Sequence, residues 1–323
     1  VIIGFMISKI LEKIKQANKV LIITHVNPDG DTLGSASALK LFIGKKADIL
    51  VQVNSKQGVP EIYKFLPKTD DVKFLDTVKD EYDLLIAVDV ASIDRIVEFP
   101  REIFNKCLNT INIDHHKTNK GYAAINLIKG GYSSTGEVLY DFFNEANIEI
   151  SKEMAEALYV AILTDTGCFR YETVTKDTFL AASNLMQKGI DTSQIAKKCY
   201  DNKPKSMITF QAEVITNAKF TLGDKVAYAI ITPSLMKKFN VKNEHTEGIA
   251  ETLRSIKTVD ISILLKENEE KITKVSLRSK TIDLTPVVEK FNGGGHKMAA
   301  GCTIKKPAKV AIELLLDELI KYV

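Results

Sequence analysis

VLIITHVNPDGDTLGSASALKLF, residues 20–42, decides the fold. Its first six residues are an apolar, β-branched run of buried-strand length. Asp29-Gly30 makes a turn. From Thr32 to Phe42, Leu33, Ala36, Leu39 and Leu41 recur at roughly helical spacing. Outward from this unit, ADILVQV (47–53), LLIAVDV (84–90) and TINIDHH (110–116) read as further strands. Ser151 to Ile162 repeats the helical pattern through Ala155, Leu158, Tyr159 and Ile162, with Ser151 as N-cap and Glu153 in the first turn. Strands alternating with helices predict an α/β domain built on a doubly wound parallel sheet. In such sheets the reactive groups gather at the carboxyl ends of the strands.

The pattern changes near GIDTSQIAKKCYDNKPKSM (189–207), which is polar and contains Pro204. Three parts are expected: a catalytic domain over residues 1–190, a linker over 191–212, and a smaller α+β domain over 213–323, with a cleft between the domains. The second domain reads strand (KVAYAIIT), helix (HTEGIAETLRSI), two strands (DISILLKE, KITKVSLRS) and two helices (LTPVVEKF, KVAIELLLDELIKYV).

Composition narrows the class. With 323 residues, 45% apolar and 26% charged, the chain has the profile of a globular protein with two cores, not of a disordered one. No run approaches the ~20 apolar residues that cross a bilayer, so no membrane association is expected. VIIGFMI at the start lacks a basic flank and a cleavage site, and is not expected to be a signal peptide. Cys107, Cys168, Cys199 and Cys302 are far apart with no CxxC pair, as in a cytoplasmic protein with reduced thiols. The net charge of +3 is uneven: residues 205–323 carry 19 basic and 14 acidic side chains. That bias fits an anionic ligand held partly by the second domain.

Acidic and imidazole groups fall where the strands end. HVNPDGD places His25, Asp29 and Asp31 after the first strand, VDVAS places Asp89 after another, and IDHH places Asp114, His115 and His116 after a third. LTDTG sets Asp165 just past a helix. One aspartate after a strand is commonly a turn former, but three of the five histidines sit at such ends beside aspartates. Imidazole and carboxylate without thiolate suit manganese, magnesium or iron better than structural zinc. About six ligands from four segments suit two ions ~3.5–4 Å apart, bridged by a carboxylate and by a water that deprotonates near neutral pH. The chemistry indicated is metal-assisted phosphoester hydrolysis.

Two glycine-containing stretches point the same way. GGYSSTGEVL (130–139) starts a helix with Ser134 or Thr135 as N-cap, leaving backbone N–H groups for an anion. FNGGGHKMAAG (291–301) lets the backbone approach a phosphate, and a helix beginning at His296 would add N–H groups, imidazole and the Lys297 ammonium.

HVNPDGD, VD, DHH and TDTG, in this order and spacing, resemble the four motifs of the DHH phosphoesterases. SLRS (276–279) with GGGHKMAAG resembles the DHH-associated C-terminal domain. The two-domain length resembles the stand-alone oligoribonuclease (nanoRNase) and pAp-phosphatase branch of that family. The resemblance implies two Mn2+ ions, with Mg2+ or Co2+ as substitutes. His25, Asp29 and Asp89 would hold one, and Asp31, Asp89, His115 and Asp165 the other. It implies that His116 contacts the scissile phosphate or assists proton transfer, with Asp114 orienting its neighbours. Arg278 and Gly293, Gly294, Gly295 and His296 would bind the far end of the substrate, and Phe169 and Arg170 are candidates for a base or phosphate contact. Implied substrates are short RNA oligonucleotides (nanoRNA), pAp and pApA. No obligate protein partner is legible, and a homodimer is compatible with the sequence. The motifs leave open a pApA or cyclic-dinucleotide phosphodiesterase, a polyphosphatase, or a non-catalytic nucleotide sensor.

Overall fold

The apolar runs become strands whose alternate residues face opposite sides of a sheet. The computed structural model describes residues 2–53, 55–79 and 81–322 and divides into two units, Val1–Asn202 and Lys203–Val323. The first runs α1 (Ile2–Gln16), β1 (Val20–Ile23), α2 (Gly30–Ile43), β2 (Ala47–Val51), β3 (Val72–Phe74), β4 (Leu84–Val88), α3 (Glu98–Lys106), β5 (Thr110–Asp114), β6 (Ile125–Ile128), α4 (Thr135–Glu145), α5 (Lys152–Asp165), α6 (Lys176–Met186) and α7 (Thr192–Ala196).

Its six strands pair in the order β3-β2-β1-β4-β5-β6, all parallel. Val20 and Ile22 of β1 and Ile86 and Val88 of β4 join the core under α1, α2, α4 and α5. Leu21, Ile23, Leu85 and Ala87 face the opposite side, against Ile103 and Phe104 of α3. Helices thus cover both faces, as the doubly wound reading expects. Strand order reverses between β1 and β4, where the loops diverge and leave a crevice at the carboxyl ends. The edge strands β3 and β6 are half-exposed and lack the apolar density that marks the central ones. The apolar start of the chain belongs to α1, which buries Ile7, Ile10 and Ile14.

The second unit runs α8 (Lys205–Thr216), β7 (Lys219–Thr221), β8 (Val226–Ile231), α9 (Pro233–Phe239), α10 (Ile249–Arg254), β9 (Ile261–Glu267), β10 (Thr273–Ser279), α11 (Thr285–Glu289), β11 (Gly294–His296), β12 (Ala299–Ile304) and α12 (Ala308–Leu319). Its sheet has the order β11-β12-β10-β9-β8-β7, antiparallel except for the β8–β9 pair. Helices α11 and α12 cover one face, and α8 and α10 cover the β8–β9 end of the other.

The expected linker, residues 191–212, contains the boundary between the units but is not irregular: α7, a wider π-type turn at Lys197–Asp201 and the start of α8 fill most of it. Their polar residues lie on exposed faces while Ile195, Cys199, Met207 and Phe210 are buried, so composition masks the helical spacing. One expectation needs correction: no helix begins at His296, which ends the short strand β11 in a hairpin with β12. No described helix is long and apolar enough to cross a membrane.

Candidate active site

The carboxyl ends of β1, β4 and β5 and the end of α5 bring the acidic motifs of the first unit together. His25 follows β1, and its Nδ1 lies 2.8 Å from the Val26 carbonyl oxygen. With that nitrogen donating, Nε2 turns to the carboxylates, 3.5 Å from Asp29 and 3.4 Å from Asp89. Asp29 caps α2, accepting from the backbone N–H groups of Asp31 and Thr32, each at 3.1 Å. Asp89 follows β4 with φ +58°, a left-handed conformation uncommon outside glycine. This turns its carboxylate to lie 3.6 Å from His115 Nε2 as well.

His115 repeats the arrangement of His25. Its Nδ1 meets the Tyr132 carbonyl at 3.1 Å, and its Nε2 lies 3.3 Å from Asp165 and 3.9 Å from Asp31. Two donor groups result: His25 with Asp29 and Asp89, and Asp31 with Asp89 and His115, the ligating atoms of each lying within 4.8 Å. Asp165 adjoins the second group through His115, and Asp89 belongs to both. Asp89, Asp114 and His116 also lie within that distance. There, however, His116 Nδ1 and Asp114 Oδ1 engage each other at 2.7 Å.

The electrostatics call for cations. Burial, then the charges of Asp89, Asp165 and Asp29, push the Asp31 carboxyl well above the usual range. Burial, then Asp89 and Asp29, do the same to Asp165. Asp165 also ends α5, where the helix dipole disfavours a negative charge. Burial alone would depress His25, but Asp29 and Asp89 outweigh it and bring its pKa up to about 10. Burial alone would raise Asp29, but His25 outweighs it and holds the carboxyl at about 2. Such a carboxylate-rich pocket either takes up protons or binds metal ions, and its oxygen and imidazole donors fit hard or borderline divalent cations.

The helix start at residues 130–139 holds an anion, though not an external one. Ser134 caps α4, and the backbone N–H groups of Thr135 and Gly136 donate to the Asp31 carboxylate at 2.7 and 2.9 Å. The anion expected there is therefore the protein's own side chain. Sequence reasoning also missed two supporting residues. Thr135 Oγ1 donates to Asp89 at 3.1 Å, and Asn119 Nδ2 donates to Asp114 Oδ2 at 2.6 Å. Thr135 carried a helix-start signal, whereas nothing local marked Asn119. Phe169 stacks on Phe179 with centroids 5.3 Å apart and packs against the core, and Arg170 Nε donates to the Gly167 carbonyl.

In the second unit the sheet register aligns the remaining candidates. Arg278, Ala299 and His296 are successive partners across β10, β12 and β11, as are Ser276, Gly301 and Gly294. Directly opposed residues share a face, so arginine and imidazole flank a floor of small residues. Gly293 and Gly295 meet a packing demand, since an added Cβ would lie 2.4 Å from the Gly301 carbonyl and 2.5 Å from that of Ala299. Gly294 meets nothing within 4 Å, and its missing side chain keeps the floor open. Arg278 Nε donates to Glu251 at 2.6 Å, which fixes the guanidinium plane.

Residues 19–162 match the DHH family, N-terminal domain, and residues 223–323 match the DHHA1 domain. The probable bifunctional oligoribonuclease and PAP phosphatase NrnA of Streptococcus mutans is 32% identical, covering 90% of this chain and 91% of that protein. The bifunctional oligoribonuclease and PAP phosphatase NrnA of Thermus thermophilus is 29% identical, covering 88% and 84%. Among solved structures, an exopolyphosphatase-related protein from Bacteroides fragilis shares the fold with a TM-score of 0.88 at 28% identity, covering 98% of this chain and 96% of that one.

Proposed function

The chain belongs to the DHH family, and from that premise we propose that it is a two-manganese hydrolase that cuts phosphoester bonds in very short oligoribonucleotides and in pAp. The observation that carries this reading is the pair of donor groups sharing Asp89 at the switch point of the sheet. The names of the similar NrnA proteins support the substrate class.

Two divalent cations held by His25, Asp29 and Asp89 and by Asp31, Asp89, His115 and Asp165 would polarise a phosphoryl oxygen and bring water's pKa to about 7. The chain does the rest. The carbonyls of Val26 and Tyr132 fix the two imidazole rings with Nε2 toward the carboxylates. Backbone N–H groups at the start of α4 hold Asp31 in place. Asp114, itself held by Asn119, orients His116 to move a proton at the scissile phosphate. Arg278, Gly294 and His296 grip the far phosphate or base. Release of a mononucleotide from RNA, or of AMP and phosphate from pAp, follows. A polyphosphatase is the second reading, supported by the likeness to the exopolyphosphatase-related protein.

Manganese-dependent hydrolysis of pAp, pApA, an RNA trimer, an RNA 24-mer, polyphosphate and pyrophosphate tests both. Turnover of pAp and the trimer, lost in Asp89→Ala, is the expected outcome. Turnover confined to polyphosphate, or to pApA, would replace the proposed substrate class.

A further inference from the structure

The sheet face that carries Arg278 continues past it into a row no step above uses. Two residues before Ser276, Lys274 of β10 lies directly opposite Lys266 of β9 on one side and Thr303 of β12 on the other. The three side chains therefore share the face of Arg278 and Ser276. Lys274 and Thr303 are exposed, while Lys266 is half-buried with its ammonium 3.1 Å from Thr246 Oγ1. Glu267, next in sequence to Lys266, is committed elsewhere, accepting from Lys271 and from the backbone of Ala308. Among the described residues no ion pair reaches Lys266 or Lys274. Burial, and then Lys274, lower the Lys266 pKa, and Glu247 opposes this only in part.

Like charges directly across a strand pair destabilise a sheet. Lys266, offset only by the Thr246 hydroxyl and in part by Glu247, faces the exposed Lys274 across the strand pair, and an anion seated between them relieves that repulsion. The row is also well placed. Four residues along β10 separate Lys274 from Arg278, about 13 Å at the rise of an extended strand. Ser276, Gly301 and Gly294 between them leave the path without bulky side chains. In the proposed reading a nucleoside bisphosphate has one phosphate at the cleavage site and one at Arg278, so none is left for the lysines. An oligonucleotide of several residues carries further phosphates.

We propose that Lys266, Lys274 and Thr303 form a second anion subsite, which takes a backbone phosphate of an oligonucleotide running past Arg278 along β10. The subsite rests on the proposed phosphoesterase reading for its ligand class and extends it. It makes affinity depend on substrate length, separating oligonucleotides from pAp.

The test is equilibrium binding of pAp and of 5′-phosphorylated oligoadenylates of two and five nucleotides to the full chain, in EDTA, over a salt series. Lys274→Gln and Lys266→Gln are expected to weaken the pentanucleotide several-fold and leave pAp unchanged. Each should also make the slope of log K against log salt shallower by about 0.7, the value for one phosphate contact on a single strand. Lys290→Gln, at an exposed lysine just past α11, should change neither. Wild-type pentanucleotide affinity and slope in both variants, equal weakening of pAp, or no pentanucleotide binding by the wild type would each overturn the subsite. Length-dependent binding without hydrolysis in manganese would instead overturn the phosphoesterase reading and leave the subsite standing.

Discussion

Asp89 combines two demands that few residues meet. It must offer a carboxylate to both donor groups, and its backbone must turn left-handed at the end of β4. Asp and Asn tolerate that conformation, whereas other L-residues lose about 1–2 kcal/mol there. Asp89→Asn and Asp89→Ala should both lose activity, because in the proposed reading Asp89 serves both cations. Denaturant unfolding should find the Asn variant more stable than the Ala variant by about 1 kcal/mol; equal stability would show that the turn does not discriminate. At His116 the expected signature is different. Its ring is oriented by Asp114 at 2.7 Å, and in the proposed mechanism it moves a proton. His116→Gln should lower kcat by about 10²–10⁴-fold, the range of general acid–base catalysis, and leave calorimetric metal binding near that of the wild type. Loss of metal binding in that variant would make His116 a ligand instead.

Elements hold these residues at fixed distances through close helix packing. Gly34 of α2 faces the Ala157 carbonyl of α5, and an added Cβ would lie 2.4 Å from that oxygen. Backbone cannot yield as a side chain tip does, so Gly34→Ala should destabilise by about 1–3 kcal/mol, despite alanine's better helix propensity. Because α2 carries Asp31 and α5 ends in Asp165, kcat should fall with stability; urea unfolding and steady-state kinetics on one preparation would show both. In the second unit, β10 and α10 are tied by Arg278 and Glu251. Burial alone would raise the Glu251 carboxyl, but Arg278 more than offsets this and holds it below its usual 4.5. A depressed carboxyl pKa stabilises the folded state above the unfolded value, and that contribution is lost as pH falls through the folded value. The stability difference between wild type and Glu251→Gln should therefore be present at neutral pH and shrink below about pH 4.5. A difference that persists in acid would assign it to packing.

At the scale of the molecule, cation binding is the proposed link between site and fold. Ligands bound only by the folded state add about 2.7 kcal/mol at a hundredfold excess over Kd. Manganese should raise hydrogen-exchange protection around α2, β4, β5 and α5, with much less effect on β9, β10 and β12; uniform protection would contradict a site confined to the first unit's ligands. The strand and helix alternation of that unit was legible because buried parallel strands are continuous apolar runs, with VD and DHH at strand ends and TDTG at the end of a helix. The edge strands and the helices of 191–212 were not, since half-exposed elements carry weak periodicity. Nor was the hairpin at Gly294–His296, where three glycines permit many conformations and pairing with β12 selects one. By itself the sequence determined the doubly wound class, the residue types of the candidate metal site and the family resemblance, all of which reside in local pattern and motif order. Only the tertiary structure decided that Asp89 belongs to both donor groups, that the first N–H groups of α4 are taken by Asp31, and that Lys266, Lys274 and Arg278 share one face. Those facts depend on contacts between residues distant in the chain, which strand register and helix packing set.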